Sequence, residues 1–337
     1  MCTVHTSGVH RLPFGRLFGK RAEMSSSQPV MSTSEEKAPF ARGVYAALAT
    51  PRRKDPMEAD AGELLDYLDA VVHAGVDGLV LFGSTGEFVH FDIEERKRVL
   101  GLAIRRSRVP MLVNVSHSTL EGAVQLAENA IAVEAHGLLL MPPYYYRYND
   151  DQLQSFFESF AKEVGSGIPI YLYNIPSCTN AISSELAARL LNSGAFAGIK
   201  DSGDDATLFP TLHSLKPQRS FSFLIGHEKR YLQDLRAGAD GVVSGVAAAV
   251  PELPVALDRA IRNGNGEKAT RLNARLEEFL VWVDRFPSTI AIKQAAVHRG
   301  WPLNHFAFPL GDRTNAEITQ FRHWLDEWLP AVLGECS

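Results

Sequence analysis

Four short stretches carry side chains able to do covalent chemistry. They are G-S-T-G-E at 83–87, P-P-Y-Y-Y-R at 142–147, Y-N-I-P-S-C-T-N at 173–180 and A-F-A-G-I-K-D at 195–201. Lys200 closes an apolar run, so its ammonium is carried toward a dry place, where burial lowers a lysine pKa. A neutral amine can attack a ketone and form a Schiff base, an electron sink for making or breaking a C–C bond. A solvated lysine paired with Asp201 accounts for the same residues without chemistry. Tyr173 can relay protons to and from such an intermediate, or be a core aromatic whose hydroxyl reaches solvent. In G-S-T-G-E, two glycines around two hydroxyls make a tight turn whose N–H groups can hold a carboxylate or phosphate. The turn lacks the G-K-[ST] ending of a phosphate-binding loop, which argues against a nucleotide. Its plain alternative is a strand-to-helix turn with Ser84 or Thr85 as a cap. Tyr144 to Tyr146 fit an oligomer contact as well as a site.

Metal chemistry is the rival. Asp201, Asp204 and Asp205 cluster, and His227-Glu228 follow another apolar run. No tight His/acid ligand spacing accompanies them. Asp204 and Asp205 read instead as helix N-terminal acids favoured by the dipole. No metal is expected.

These residues need a frame that gathers them. From Val44 onward, short β-rich runs begin near 44, 76, 109, 137, 168, 196, 221 and 241. Between them lie segments of helical spacing, such as 61–73 with Leu64, Leu65, Leu68 and Val72 on one face. Strands alternating with helices imply parallel pairing and right-handed crossovers. Eight such units fit a closed (β/α)8 TIM barrel, usually about 250 residues, with its chemistry at the C-terminal strand ends. An open doubly wound sheet usually carries G-x-G-x-x-G after its first strand, where this chain has T-P-R-R-K-D-P. The expected barrel spans 41–250. A helical region, 251–337, packs on it, its last helix bearing Phe321, Trp324 and Trp328.

The chain has 337 residues and a formal net charge of −5, with 34 Lys and Arg against 39 acids. No basic stripe stands out, so nucleic acid is excluded as a partner. No apolar run approaches the roughly 20 residues that span a bilayer, which argues against a membrane. Cys2, Cys178 and Cys336 lie far apart, fitting a reducing compartment. Residues 1–40 are set apart from the fold. Their start carries Arg11, Arg16, Lys20 and Arg21 without an acid. It reads as a tail, or as residues preceding a true start at Met24 or Met31, with a cytoplasmic protein following. Read as a transit peptide over 1–22, it would direct the chain to an organelle matrix.

Taken in order, G-S-T-G-E, P-Y-Y at 143–145, Y-N-I-P-S at 173–177 and G-I-K at 198–200 resemble the pyruvate-dependent class I aldolases typified by dihydrodipicolinate synthase and N-acetylneuraminate lyase. The resemblance covers about 44–310. It implies that Lys200 forms the Schiff base with pyruvate or another 2-oxo acid and that Tyr173 is the general acid/base. It implies that Ser84 and Thr85 hold the keto-acid carboxylate, with Thr85 passing protons to Tyr173. Tyr145 matches a tyrosine that reaches a neighbouring subunit's site, implying a homo-oligomer, a dimer of dimers. No cofactor is implied. The chain also departs from the pattern. Cys178 stands where the synthases have an arginine for a second carboxylate, a bidentate contact that a thiol cannot make. Ser84 is more lyase-like than synthase-like, and Asn180 replaces a common glycine. Cys178, His227, Glu228 and Ser244 are the expected specificity positions, in a polar pocket. The expected activity is a Schiff-base aldolase or dehydratase on a 2-keto-3-deoxy sugar acid, a sialic-acid-like substrate or 4-hydroxy-2-oxoglutarate. The alternatives are 4-hydroxy-tetrahydrodipicolinate synthase and a non-catalytic 2-oxo-acid-binding barrel.

Overall fold

The structure, a computed structural model, describes residues 41–54, 58–287 and 289–337. The expected tail or targeting segment at 1–40 lies outside the described residues. Eight parallel strands close on themselves in sequence order. They are β1 (Gly43–Ala47), β2 (Gly78–Leu81), β3 (Met111–Asn114), β4 (Gly137–Leu140), β5 (Ile170–Asn174), β6 (Gly198–Asp201), β7 (Ser222–Ile225) and β8 (Gly241–Ser244). Every residue of all eight is buried. That explains why they read as continuous apolar runs rather than alternating ones, as parallel strands covered on both faces do. The TIM-barrel expectation holds.

The intervening helices are α1 (Ala61–His73), α2 (Ile93–Arg106), α3 (Leu120–Ala132), α4 (Asp150–Val164), α5 (Ser184–Ser193), α6 (Leu208–His213) and α7 (Tyr231–Arg236). Local chemistry starts them. Asp60, Asp92, Thr119 and Ser183 each accept a backbone N–H of the first turn they precede, and Asn149 forms a reciprocal capping box with Gln152. The ring is completed by α8 (Glu252–Arg262), which packs on α7 and β1 and so carries the barrel past residue 250.

Three further helices follow: α9 (Gly266–Val283), α10 (Ile290–His298) and α11 (Asp312–Cys336). Phe279 and Trp282 of α9 meet Phe321, Trp324 and Trp328 of α11, with Trp324 and Trp328 stacked at 4.7 Å. Such ring pairs contribute about 0.5–1.5 kcal/mol each beyond their burial. This packing holds α10 near the barrel mouth, where it matters for the site.

Candidate active site

Lys200 and Tyr173 are direct register partners on the adjacent strands β6 and β5. Backbone pairing alone therefore places them side by side. Lys200 is 3% exposed and its Nζ lies 4.0 Å from the centre of the Tyr173 ring. Asp201 does not pair with it. That carboxylate accepts Asn174 Nδ2 at 2.8 Å and the Gly203 N–H at 3.0 Å, and burial raises its pKa. Asn174 Oδ1 in turn accepts the Ile182 N–H, so the loops after β5 and β6 are tied together beneath the lysine. Opposite, Gly226 has no room for a side chain. A Cβ there would sit 2.1 Å from Ser202 Oγ and 2.9 Å from Lys200 Cε.

The G-S-T-G-E turn follows β2 and is held under strain. Phe82 (φ 58°) and Glu87 (φ 54°) bracket it in the left-handed region, at a cost of about 1–3 kcal/mol each. Three contacts offset that cost. Asn114 Nδ2 donates to the Phe82 carbonyl (2.7 Å), Thr50 Oγ1 donates to the Gly86 carbonyl (2.8 Å), and Lys293 Nζ of α10 donates to Glu87 Oε2 (2.7 Å). Lys293 and Glu87 are almost wholly buried, and Lys293 also donates to the His305 carbonyl at 2.7 Å. Burial lowers the Lys293 pKa while Glu87 opposes the shift. Arg52 Nε lies 3.8 Å from the same Glu87 oxygen.

The hydroxyl that meets Tyr173 is that of Ser84, with Oγ 3.1 Å from the phenol oxygen. Thr85, expected to pass protons to Tyr173, makes no such contact; its neighbour Ser84 does. Thr85 faces β8 instead. A Cβ on Gly245 would lie 3.5 Å from both Thr85 Oγ1 and Glu228 Oε2. Glu228 is fixed by the Ser244 hydroxyl and by the N–H groups of Gly245 (3.2 Å) and Val246 (3.3 Å). Burial raises its pKa; those donors and the Lys200 charge oppose the rise.

These groups share one cavity of about 720 Å³ at the C-terminal ends of the strands. Ser84, Thr85, Tyr173, Cys178, Lys200 and Glu228 line it. His227 does not. Its ring turns away toward Asp204, 3.1 Å from Nδ1. Ser244 is fully buried and reaches the cavity only through Glu228. Tyr145 is 88% exposed, with φ 85°, and packs on Tyr146 outside the cavity of its own chain. The cavity is more apolar than expected, since Phe88, Val89, Ile175, Val283, Ile292 and Phe308 also line it, with His90 and Thr289. Burial lowers the His90 pKa. Lys200 is the sole Lys or Arg among the described residues lining this space. Sequence reasoning gave Glu87 no role of its own within G-S-T-G-E and missed His90, Thr289 and Lys293. One signal existed for Lys293: a lone cation in the apolar helix T-I-A-I-K-Q-A-A. Among the described residues no group of three or more His, Cys, Asp or Glu could hold a metal ion, and no helix is long and apolar enough to cross a membrane.

A model of the dihydrodipicolinate synthetase family matches residues 40–327. The chain is 30% identical over 259 residues to the probable 2-dehydro-3-deoxy-D-pentonate aldolase YjhH of Escherichia coli K12, covering 74% of this chain and 85% of that protein. It is 30% identical over 281 residues to the 4-hydroxy-tetrahydrodipicolinate synthase of Methanothrix thermoacetophila, covering 82% and 94%. YagE of E. coli K12, a putative 2-dehydro-3-deoxy-D-gluconate aldolase, is 31% identical over 250 residues, covering 72% and 82%. The crystal structure of YagE in complex with pyruvate superposes with a TM-score of 0.79, at 27% identity over 85% of this chain and 98% of that one.

Proposed function

The chain belongs to the dihydrodipicolinate synthetase family and is an aldolase-type lyase; from that premise we propose that it cleaves a 2-keto-3-deoxy sugar acid through a Schiff base on Lys200, releasing pyruvate and a hydroxyaldehyde. The observation that carries this is the buried Lys200 beside Tyr173 in strand register, with Ser84 on the phenol at 3.1 Å. Lys200 Nζ attacks the C2 carbonyl; one amine proton is relayed to the keto oxygen through Tyr173 and Ser84, and Tyr173 then gives up its own proton, so that water leaves, the iminium forms and the phenol is left as phenolate. The iminium then accepts the electrons of the breaking C3–C4 bond while Tyr173 takes the proton of the C4 hydroxyl. Protonation of the enamine at C3 and hydrolysis return the lysine and free pyruvate. The N–H groups and hydroxyls of the strained turn hold the keto-acid carboxylate. No cofactor enters any step.

The lining supports an uncharged far end for the substrate. A second carboxylate would be buried without a cation, which is costly. This disfavours 4-hydroxy-2-oxoglutarate and the synthase reaction, and Cys178 in place of an arginine argues the same way. Glu228 is placed to accept a substrate hydroxyl. Tyr145, turned outward, is suited to complete the site of a second copy of the chain, in a homo-oligomer.

The test is to incubate the protein with pyruvate and borohydride, then measure intact mass and map the modified peptide. One reduced pyruvate adduct on Lys200 is expected. Folded protein that gains no adduct would overturn the Schiff-base reading in favour of a barrel that binds 2-oxo acids.

A further inference from the structure

Thr289 sits at the start of α10 but does not cap it. A threonine there ordinarily accepts an N–H from the first turn of its helix, and this side chain makes no such bond. The residue is 7% exposed, and its hydroxyl has no hydrogen-bond partner among the described residues. It lines the cavity that holds Lys200. An unsatisfied buried hydroxyl costs about 1–3 kcal/mol, so a native protein that keeps one has a use for it.

Its surroundings say what that use is. Val283, Ile292 and Phe308 line the same cavity, and Ile292 follows Thr289 by three residues. In such apolar company a hydrogen bond is strong when made and expensive when missing. His90 lines the same cavity, and burial lowers its pKa. A buried hydroxyl in a cavity whose sole lining Lys or Arg is Lys200 suits an uncharged donor or acceptor, not a second carboxylate or a phosphate. Position is fixed as well. Lys293, about one helical turn beyond Thr289, is bonded to Glu87, which closes the turn bearing Ser84 and Thr85. One buried ion pair therefore sets the span between the carboxylate end of the cavity and Thr289.

We propose that Thr289 is a specificity-determining residue whose hydroxyl bonds a hydroxyl on the aldehyde-derived end of the substrate. This rests on the aldolase reading. The full-length protein is assayed for condensation of pyruvate with D-glyceraldehyde, D-erythrose and propanal, the last lacking hydroxyls. Thr289→Val keeps the shape and removes the oxygen; Thr289→Ser keeps the oxygen. Expected for Thr289→Val is a loss of about tenfold or more in kcat/KM with at least one hydroxyaldehyde, as befits a missing buried hydrogen bond. With propanal the change stays under about twofold, Thr289→Ser stays near wild type, and borohydride trapping of pyruvate is unchanged. Equal losses with all three aldehydes, or none with any while trapping persists, overturn the proposal. Wild-type protein that traps no pyruvate overturns it together with the aldolase reading, before any variant is compared.

Discussion

The two ends of the cavity are held by different physical means. At the lysine end, Lys200 and Tyr173 are neighbours because β5 and β6 pair in one register, and a parallel ladder of buried backbone hydrogen bonds has little freedom to slip. At the far end, Thr289 and Ile292 come from the start of α10 and Phe308 from the loop that follows it, pinned to the mouth by the side-chain pair Lys293–Glu87 and by packing. The difference teaches that the proposed reacting pair is held by backbone, which substitution barely touches, and the proposed specificity residue by side chains, which single changes can rewrite.

That contrast can be broken from either end. Lys200→Ala has the largest expected effect: no trapped pyruvate and no measurable turnover, with the thermal midpoint close to wild type. Tyr173→Phe comes next, lowering kcat by about 10²–10⁴-fold, the range of general acid/base catalysis, while slow trapping on Lys200 persists. Full activity in Tyr173→Phe would put the proton relay elsewhere.

Lys293→Met attacks the far end. It strips Glu87 of its closest cation and leaves it Arg52 at 3.8 Å, so the fold should lose stability in denaturant titration, by less than the roughly 3–5 kcal/mol of a buried charge left wholly unpaired. It should also raise the KM for pyruvate more than it lowers kcat, since the carboxylate turn loosens while the Lys200–Tyr173 register stays. The double variant Lys293→Met with Glu87→Gln should differ from the sum of the two single variants, since both groups of one buried pair are then neutral while Arg52 faces an amide. A purely additive double variant would show that the two residues do not act as a pair.

Glu228→Gln sharpens the comparison through pH. Burial raises the Glu228 pKa in the folded state above its ordinary carboxylate value. The folded chain therefore holds that proton more tightly than the unfolded one, and stability is lost as pH rises from the ordinary value through the raised one. The glutamine variant should lack this decline, seen as a flatter plot of denaturation midpoint against pH over the acid range. The smallest effect belongs to Cys178→Ser. That thiol is exposed at the mouth, and the change should stay within about twofold in kcat/KM, the scale of ordinary surface substitutions.

Much of this was legible along the chain. The eight apolar runs became the eight strands, and each motif fell at a strand's C-terminal end, because burial on two faces leaves a local mark. Lys200 and Tyr173 could be named because each stands at or next to the end of such a run. His227 and Ser244 were drawn in by the same logic and do not line the cavity. Being near a strand end fixes where a backbone goes, not which way a side chain turns. Thr289 and Lys293 had no motif to mark them. Lys293 meets Glu87 across 206 positions of sequence, and no local pattern reports so distant a pairing.

By itself the sequence determined the barrel and its alternation of strands and helices, which follow from hydrophobic period; the lysine and the tyrosine were singled out by their strand-end positions together with the resemblance of the ordered motifs to a known family. Only the tertiary structure decided that Ser84 rather than Thr85 meets the phenol, that Glu228 is locked by Ser244, and that α10 forms the far wall. The physical reason is direction. In a turn bracketed by two left-handed residues, a few backbone angles decide which of two adjacent hydroxyls points inward. Those angles are held by Asn114, Thr50 and Lys293, contacts that exist only once the chain has closed.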